Sequence, residues 1–144
     1  MEIAIIADDN KKELMAQFCT AYYGVLCQHR LCATSVTGKY ISDASGLDIE
    51  LFLGGGSGTE QIASKISFNE IDLVLYFRST DPAKEPYEAE TNLLRLCDVY
   101  NVPLATNIAT ADALIAALRN GDLNWREFIN PTSEYSLKKK QKDQ

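Results

Sequence analysis

One histidine in 144 residues, His29, removes whole classes of chemistry. A zinc site draws on several imidazole, thiolate or carboxylate ligands at close spacing. His29 alone supplies no Cys–His or His–Glu–His set, and no metal is expected. A Ser–His–Asp triad could use only His29, which lies on a polar stretch between a helix and a strand and suits that role poorly. The four cysteines, Cys19, Cys27, Cys32 and Cys97, form no CxxC pair and sit inside apolar segments. They read as buried, reduced thiols rather than disulfides or metal ligands. No apolar run reaches the ~18 residues of a membrane span. Met1-Glu2 leads straight into a strand without a basic region, so a secretory signal is not expected and a cytoplasmic setting is. Basic residues are in deficit, 14 against 20 acidic, for a net charge of -6. A nucleic-acid binder needs a surplus of Lys and Arg to displace phosphate counterions, so that partner class is excluded as well.

What is present suits one soluble domain: 46% hydrophobic and 24% charged residues in a length that can bury a substantial core. Residues 2–7 form a short apolar run that reads as a buried strand. Asn10 is then expected to cap a helix to about Gln28, with Leu14, Phe18 and Tyr22 at four-residue spacing. Arg30–Thr34 reads as a second strand, 34–38 as a loop, and about Lys39–Ala44 as a short helix closed by Gly46. A third strand is expected over Asp48–Leu53, a helix over about Glu60–Phe68, and a fourth strand over Asp72–Phe77. A polar loop over 78–87, a helix over about Glu88–Tyr100, a strand over Pro103–Thr106 and a helix over Thr110–Arg119, stopped by Gly121, complete the rhythm. Five strand–helix repeats imply an α/β three-layer sandwich, with helices on both faces of a five-stranded parallel sheet. The folded domain is expected over 1–130. Residues 131–144, ending Lys138-Lys139-Lys140-Gln141-Lys142, read as a polar, lysine-rich tail.

In such sheets ligands bind beyond the carboxyl ends of the strands, and the polar residues gather there. Strand one delivers Asp8-Asp9, strand two Thr34, Ser35 and Thr37, strand four Arg78, Ser79 and Thr80, and strand five Thr106-Asn107. Strand three delivers Gly54-Gly55-Gly56-Ser57-Gly58-Thr59, with four of the chain's eight glycines. Successive glycine N–H groups ahead of a helix suit an anion, and so would a merely flexible turn. The hydroxyls of Thr34, Ser35 and Thr37 strengthen a phosphate reading, although Thr37 could equally cap a helix. The loop is not a Walker motif, because no Gly-Lys-Ser/Thr closes it, and Gly38-Lys39 lacks the upstream glycine. Asp8-Asp9 is similar to the acidic pair of receiver domains, but Leu53-Gly54 and Thr106-Asn107 stand where a phospho-acceptor Asp and a Lys are needed.

Taken together, these segments resemble the methylglyoxal synthases over about residues 1–130. The resemblance is carried by Ile3-Ala4-Ile5-Ile6-Ala7-Asp8-Asp9, Ala33-Thr34-Ser35-Val36-Thr37-Gly38, Leu94–Tyr100 and, most distinctively, Val102-Pro103-Leu104-Ala105-Thr106-Asn107-Ile108-Ala109-Thr110-Ala111. It implies a flavodoxin-like sheet, a homohexamer, and conversion of dihydroxyacetone phosphate to methylglyoxal and phosphate without metal or organic cofactor. In that chemistry a carboxylate takes a carbon-bound proton, an enediolate forms, and phosphate leaves. The resemblance carries the phosphate site onto Lys12, Thr34, Thr37 and Gly54, with Ser35 and Gly55 beside them, and the acid of the first motif onto Asp9.

The departures fall on the chemistry. Val36 and Leu53 replace hydroxyl residues of the phosphate site, and Asp8 stands in place of a His. The segment Gly-Gly-Asp-Gln-Gln, which supplies the base, reads Ser57-Gly58-Thr59-Glu60-Gln61. The base position is therefore Thr59. Glu60 is the candidate for a displaced base, but one helical residue is about 100° of rotation, so it should point elsewhere. The Pro-His-Glu/Asp-Pro-Asp loop is altered too: its His falls on Pro86 and its last Asp on Ala89, or, shifted by one, on Tyr87 and Glu90. Three roles follow: a synthase, either active with its base displaced to Glu60 or impaired because Thr59 holds the base position; a module that binds a small phosphorylated metabolite; and a chain that only assembles with itself or an active paralogue.

Overall fold

The computed structural model describes residues 1–52 and 56–129. Five strands, β1 (Glu2–Ala7), β2 (Arg30–Thr34), β3 (Ile49–Phe52), β4 (Leu73–Phe77) and β5 (Leu104–Ala105), form one sheet in the order β3-β2-β1-β4-β5. Every pairing is parallel, as the strand–helix rhythm implies. The helices are α1 (Lys12–Ala21), α2 (Tyr23–Leu26), α3 (Ser35–Ser45), α4 (Gly56–Ser67), α5 (Glu88–Val99), α6 (Ile108–Asn120) and α7 (Arg126–Ile129).

The period-2 geometry of a strand divides the core in two. Ile3, Ile5, Leu73, Leu75 and Phe77 face one side, where they pack with Met15 and Phe18 of α1, Ile41 of α3 and Ile115 of α6. Ala4, Ile6, Val74 and Tyr76 face the other, against Ile62 and Ile66 of α4 and Leu93 and Cys97 of α5. β1 and β4 are buried on both faces, which explains why they read as unbroken apolar runs.

Several boundaries differ from the sequence reading. Asp8, not Asn10, caps the start of the first helical segment: its carboxylate accepts from the Asn10 N–H at 3.1 Å, and a 3-10 turn over Asp9–Lys11 leads into α1. The long helix breaks at Tyr22, so its last part is the separate α2. No loop separates β2 from α3, which starts at Ser35; Thr37 lies inside the helix and Thr34 flanks it without a side-chain cap. α3 crosses the sheet closely at Gly38, where an added Cβ would meet the Leu51 side chain and sit 3.1 Å from Ala33 Cβ. That contact makes Gly38 a packing glycine. α4 begins at Gly56 rather than near Glu60. Gly46 (φ +80°) and Gly121 (φ +82°) end α3 and α6 in the left-handed conformation that glycine adopts at low cost. Cys19, Cys32 and Cys97 are buried, but Cys27 is exposed.

α7 lies in a stretch to which the sequence assigned no element. Its Arg126 is fully buried and pairs with Asp72 at 3.2 Å (Nε to Oδ1). Arg126 Nη2 also donates to the Ile71 carbonyl at 2.8 Å, and Asp72 Oδ2 accepts from the Glu2 N–H at 2.9 Å. One buried ion pair thus ties the last helix to the amino ends of β1 and β4. The tail over 131–144 lies outside the described residues. Among those residues, no helix is long and apolar enough to cross a membrane.

Candidate active site at the carboxyl ends of the strands

From β1 the chain winds outward through β2 to the edge strand β3, then returns to the other side of β1 as β4. The gap between β1 and β4 is the topological switch point, where crossovers diverge and leave a crevice. The Asp8 N–H donates to the Phe77 carbonyl at 2.9 Å across it. Two groups of side chains flank this point.

On the β2 side stand the hydroxyl residues. Thr34 (8% exposed) ends β2, and Thr37 (4% exposed) sits in the first turn of α3, with the half-buried Ser35 between them. The first-turn N–H groups of α3 lack intrahelical acceptors, and their partial positive charge favours an anion. Lys12, in the first turn of α1, is 2.9 Å from Asp9 (Nζ to Oδ1), and the Asp9 side chain is 88% exposed. Asp9 therefore faces solvent, held by its i,i+3 partner. Gly54 and Gly55 lie outside the described residues.

On α4, Thr59 and Glu60 meet opposite environments. Thr59 is 2% exposed and lies on the same inward stripe as Ile62, Ala63 and Ile66, while Glu60 is exposed. The rotation of one residue along the helix separates them as the 3.6-residue repeat requires. A carboxylate at 60 faces water, and the hydroxyl at 59 faces the protein.

On the β4 side lies a crevice of ≈ 60 Å³ lined by Ile6, Asp8, Tyr76, Arg78, Lys84 and Glu90, among others. Three cross-connections frame it. Lys84, in the loop after β4, pairs with Asp8 at the end of β1. The hydroxyls of Tyr76 and Tyr87 are 3.2 Å apart. Arg78 donates through Nε to Glu90 Oε1 at 2.6 Å, and the Glu90 side chain is only 10% exposed. The Lys84 hydrogen bond holds the Asp8 carboxyl below its usual range, and its counterpart raises Lys84. Burial, reinforced by the Tyr87 hydroxyl, pushes the Tyr76 phenol far upward, so it stays protonated and can donate.

Among the sequence candidates, Thr34, Ser35, Thr37 and Lys12 come from adjacent elements, and Glu90 lines the crevice beside them. Asp9 and Glu60 face solvent. Sequence reasoning missed Lys84 and the role of Asp8. Their pairing spans 76 residues, and a lysine in a polar loop gives no local signal of it. No group of three or more His, Cys, Asp or Glu side chains that could hold a metal occurs among the described residues.

Comparison with known proteins follows the same lines. Residues 15–106 match the family model described as MGS-like domain. The chain is 54% identical over 134 residues to a methylglyoxal synthase of Caldicellulosiruptor saccharolyticus, an alignment covering 91% of this chain and 94% of that one. It is 49% identical over 137 residues to a methylglyoxal synthase of Oceanobacillus iheyensis, covering 93% and 96%. The crystal structure of methylglyoxal synthase from Elizabethkingia anophelis NUHP1 superposes with a TM-score of 0.73 at 33% identity, covering 79% of this chain and 76% of that one. With its parallel sheet, its switch-point crevice and these likenesses, the chain belongs to the methylglyoxal synthase-like family.

Proposed function

We propose that this chain binds a triose phosphate across the carboxyl ends of β2, β1 and β4, and that it converts dihydroxyacetone phosphate to methylglyoxal and phosphate slowly. The observation that carries this is the division on α4: the inward position holds Thr59, and the nearest carboxylate, Glu60, is exposed. A neutral hydroxyl does not take a proton from carbon near neutral pH. Positioned general acids and bases contribute about 10²–10⁴-fold each. Loss of the base and of the family's imidazole therefore leaves binding largely in place and turnover low. In this reading the phosphate rests on Lys12, Thr34, Ser35, Thr37 and the glycines 54 and 55, with fewer donors because Val36 and Leu53 carry no hydroxyl. No cofactor takes part. The protein works as a homohexamer in the cytoplasm.

A second reading, a binding module for a small phosphorylated metabolite, is favoured by the paired state of the crevice. Asp8 and Glu90 are each engaged by a cation, which suits recognition better than proton removal. One experiment separates the two. Purified protein is incubated with dihydroxyacetone phosphate, methylglyoxal and phosphate are followed, and binding of inorganic phosphate is measured in parallel. Slow turnover with phosphate binding supports the synthase reading; binding with no turnover supports the module; neither overturns both. Light scattering tests the assembly, since a mass near the 16.0 kDa of one chain contradicts the hexamer.

A further inference from the structure

Arg78 differs from the other ions of the site in how little of it is used. Its Nε is committed to Glu90. Nη1 and Nη2 make no hydrogen bond to a described residue, although Arg78 lines the crevice and its side chain is 34% exposed. The contact through Nε leaves the planar Nη face, a two-pronged donor, open to a ligand. Glu90 fixes that face: it is nearly buried on α5, so the guanidinium is held from behind by an anchored carboxylate.

The crevice is small, ≈ 60 Å³, and its lining includes the donors Tyr76, Arg78 and Lys84. It matches the short carbon end of a triose, with two oxygens on neighbouring carbons. The phosphate then falls to the Thr34–Thr37 turn across β1.

We infer that Arg78 is a specificity-determining residue whose Nη groups receive the two neighbouring oxygens of the ligand's carbon end, and that Glu90 is the positioning residue that aims it. The inference rests on the triose-phosphate reading above and assigns the other half of that site. A guanidinium retains its proton, so Arg78 stabilises negative charge on those oxygens by paired, charge-assisted hydrogen bonds and transfers no proton. It does electrostatically part of what the family's imidazole would do at the same end of the ligand.

Two probes separate the halves of the site. Ethyl phosphate offers a phosphate alone; 2-phosphoglycolate adds a charged two-oxygen end. Calorimetric titration is expected to show wild type binding 2-phosphoglycolate more tightly by about 10- to 100-fold, the range of hydrogen bonds to charged groups. Arg78→Ala should erase that preference and leave ethyl phosphate binding unchanged. Arg78→Lys keeps the charge but loses the fork, and should retain only a minor part of the preference; it also serves if Arg78→Ala does not fold. Glu90→Gln should lower the preference for 2-phosphoglycolate with the affinity for ethyl phosphate intact, a selectivity that general loosening of the fold would not produce. An undiminished preference in folded Arg78→Ala or Arg78→Lys overturns this inference and leaves the phosphate site standing. Failure of wild type to bind either probe overturns the proposed function, and this inference with it.

Discussion

Thr59→Asp tests the account of the chemistry most directly. Thr59 is 2% exposed and is the fourth residue of α4, on the stripe shared with Ile62 and Ile66. Aspartate is close to threonine in size, so it introduces a carboxylate facing the protein without a large change in volume. Burial disfavours its charge and raises its pKa, while the amino end of α4 opposes that rise. Each unit of net rise costs the fold about 1.4 kcal/mol at neutral pH. The sign follows: a raised carboxyl pKa means the folded state holds its proton longer, so the variant loses stability relative to wild type as pH climbs from about 4 through the raised value. Over the same interval the base becomes competent. Methylglyoxal formation is expected to rise by up to about 10²–10⁴-fold over wild type, remaining below that of a complete site because no imidazole has been restored. The assay is continuous methylglyoxal detection from pH 5 to 9, with urea unfolding as the control for folding. The exposed Glu60 provides the contrast, since Glu60→Gln should change neither readout. Two results refute the reasoning: a folded Thr59→Asp with no gain, or brisk wild-type turnover abolished by Glu60→Gln.

Arg126→Met strands the buried Asp72 charge and should cost about 3–5 kcal/mol in urea unfolding; Arg126→Met with Asp72→Asn should be less destabilised than Arg126→Met alone, and a more damaged double variant would contradict the ion-pair account. Lys84→Ala removes the hydrogen bond that holds the Asp8 carboxyl below 3.8. The stabilisation from that contact is complete above pH 3.8 and lost as pH falls below it, so the variant's midpoint should drop relative to wild type near neutrality and the difference should shrink in acid; a constant difference from pH 2 to 6 would refute it. Burial pushes the His29 imidazole down to about 4, so its ring protons in NMR should titrate near there rather than near 6.5. Because the unfolded chain protonates first, the His29 contribution to stability is complete above 6.5 and falls away towards pH 4.

Much of the fold was legible because buried strands and helix stops are local signals. Ile3–Ile6 and Leu73–Phe77 are apolar runs too short for helices, and Gly46 and Gly121 lie where left-handed backbone ends a helix. The start of α3 was not legible, since Ser35-Val36-Thr37-Gly38 is a weak helix former on propensity. Packing of Thr37, Gly38 and Ile41 over the sheet overrides that preference. The Thr59/Glu60 distinction needed only the helical repeat and the start of α4. The ion pairs needed the whole fold: Arg126 and Asp72 are 54 residues apart and Lys84 and Asp8 are 76 apart, and either lysine or arginine, read locally, looks like solvated charge. The alternatives for the loop remained open in sequence, and in the structure Pro86, Tyr87 and Glu90 all line the crevice while Ala89 is half-buried.

A site rebuilt on these pairs should also respond differently to pH. Between pH 5 and 8 the unperturbed side chain that titrates is histidine. The single imidazole of this chain precedes β2, at the amino end of the sheet, while the site occupies the carboxyl ends. Burial moreover keeps His29 neutral through that range. The Lys84–Asp8 contact moves both its groups away from that range, the carboxyl downward and the ammonium upward. What does change near pH 6 is a phosphate monoester, whose second ionisation falls there, and both probes carry one. The affinity of each is expected to vary with pH through the ligand, but their ratio, which reports the Arg78 end, should stay flat from pH 5.5 to 8. Parallel titrations of wild type at several pH values measure it. A ratio that bends near pH 6.5 in wild type and becomes flat in His29→Gln would mean that an imidazole still governs the carbon end, and that the exchange of histidine for fixed ion pairs argued from this geometry is wrong.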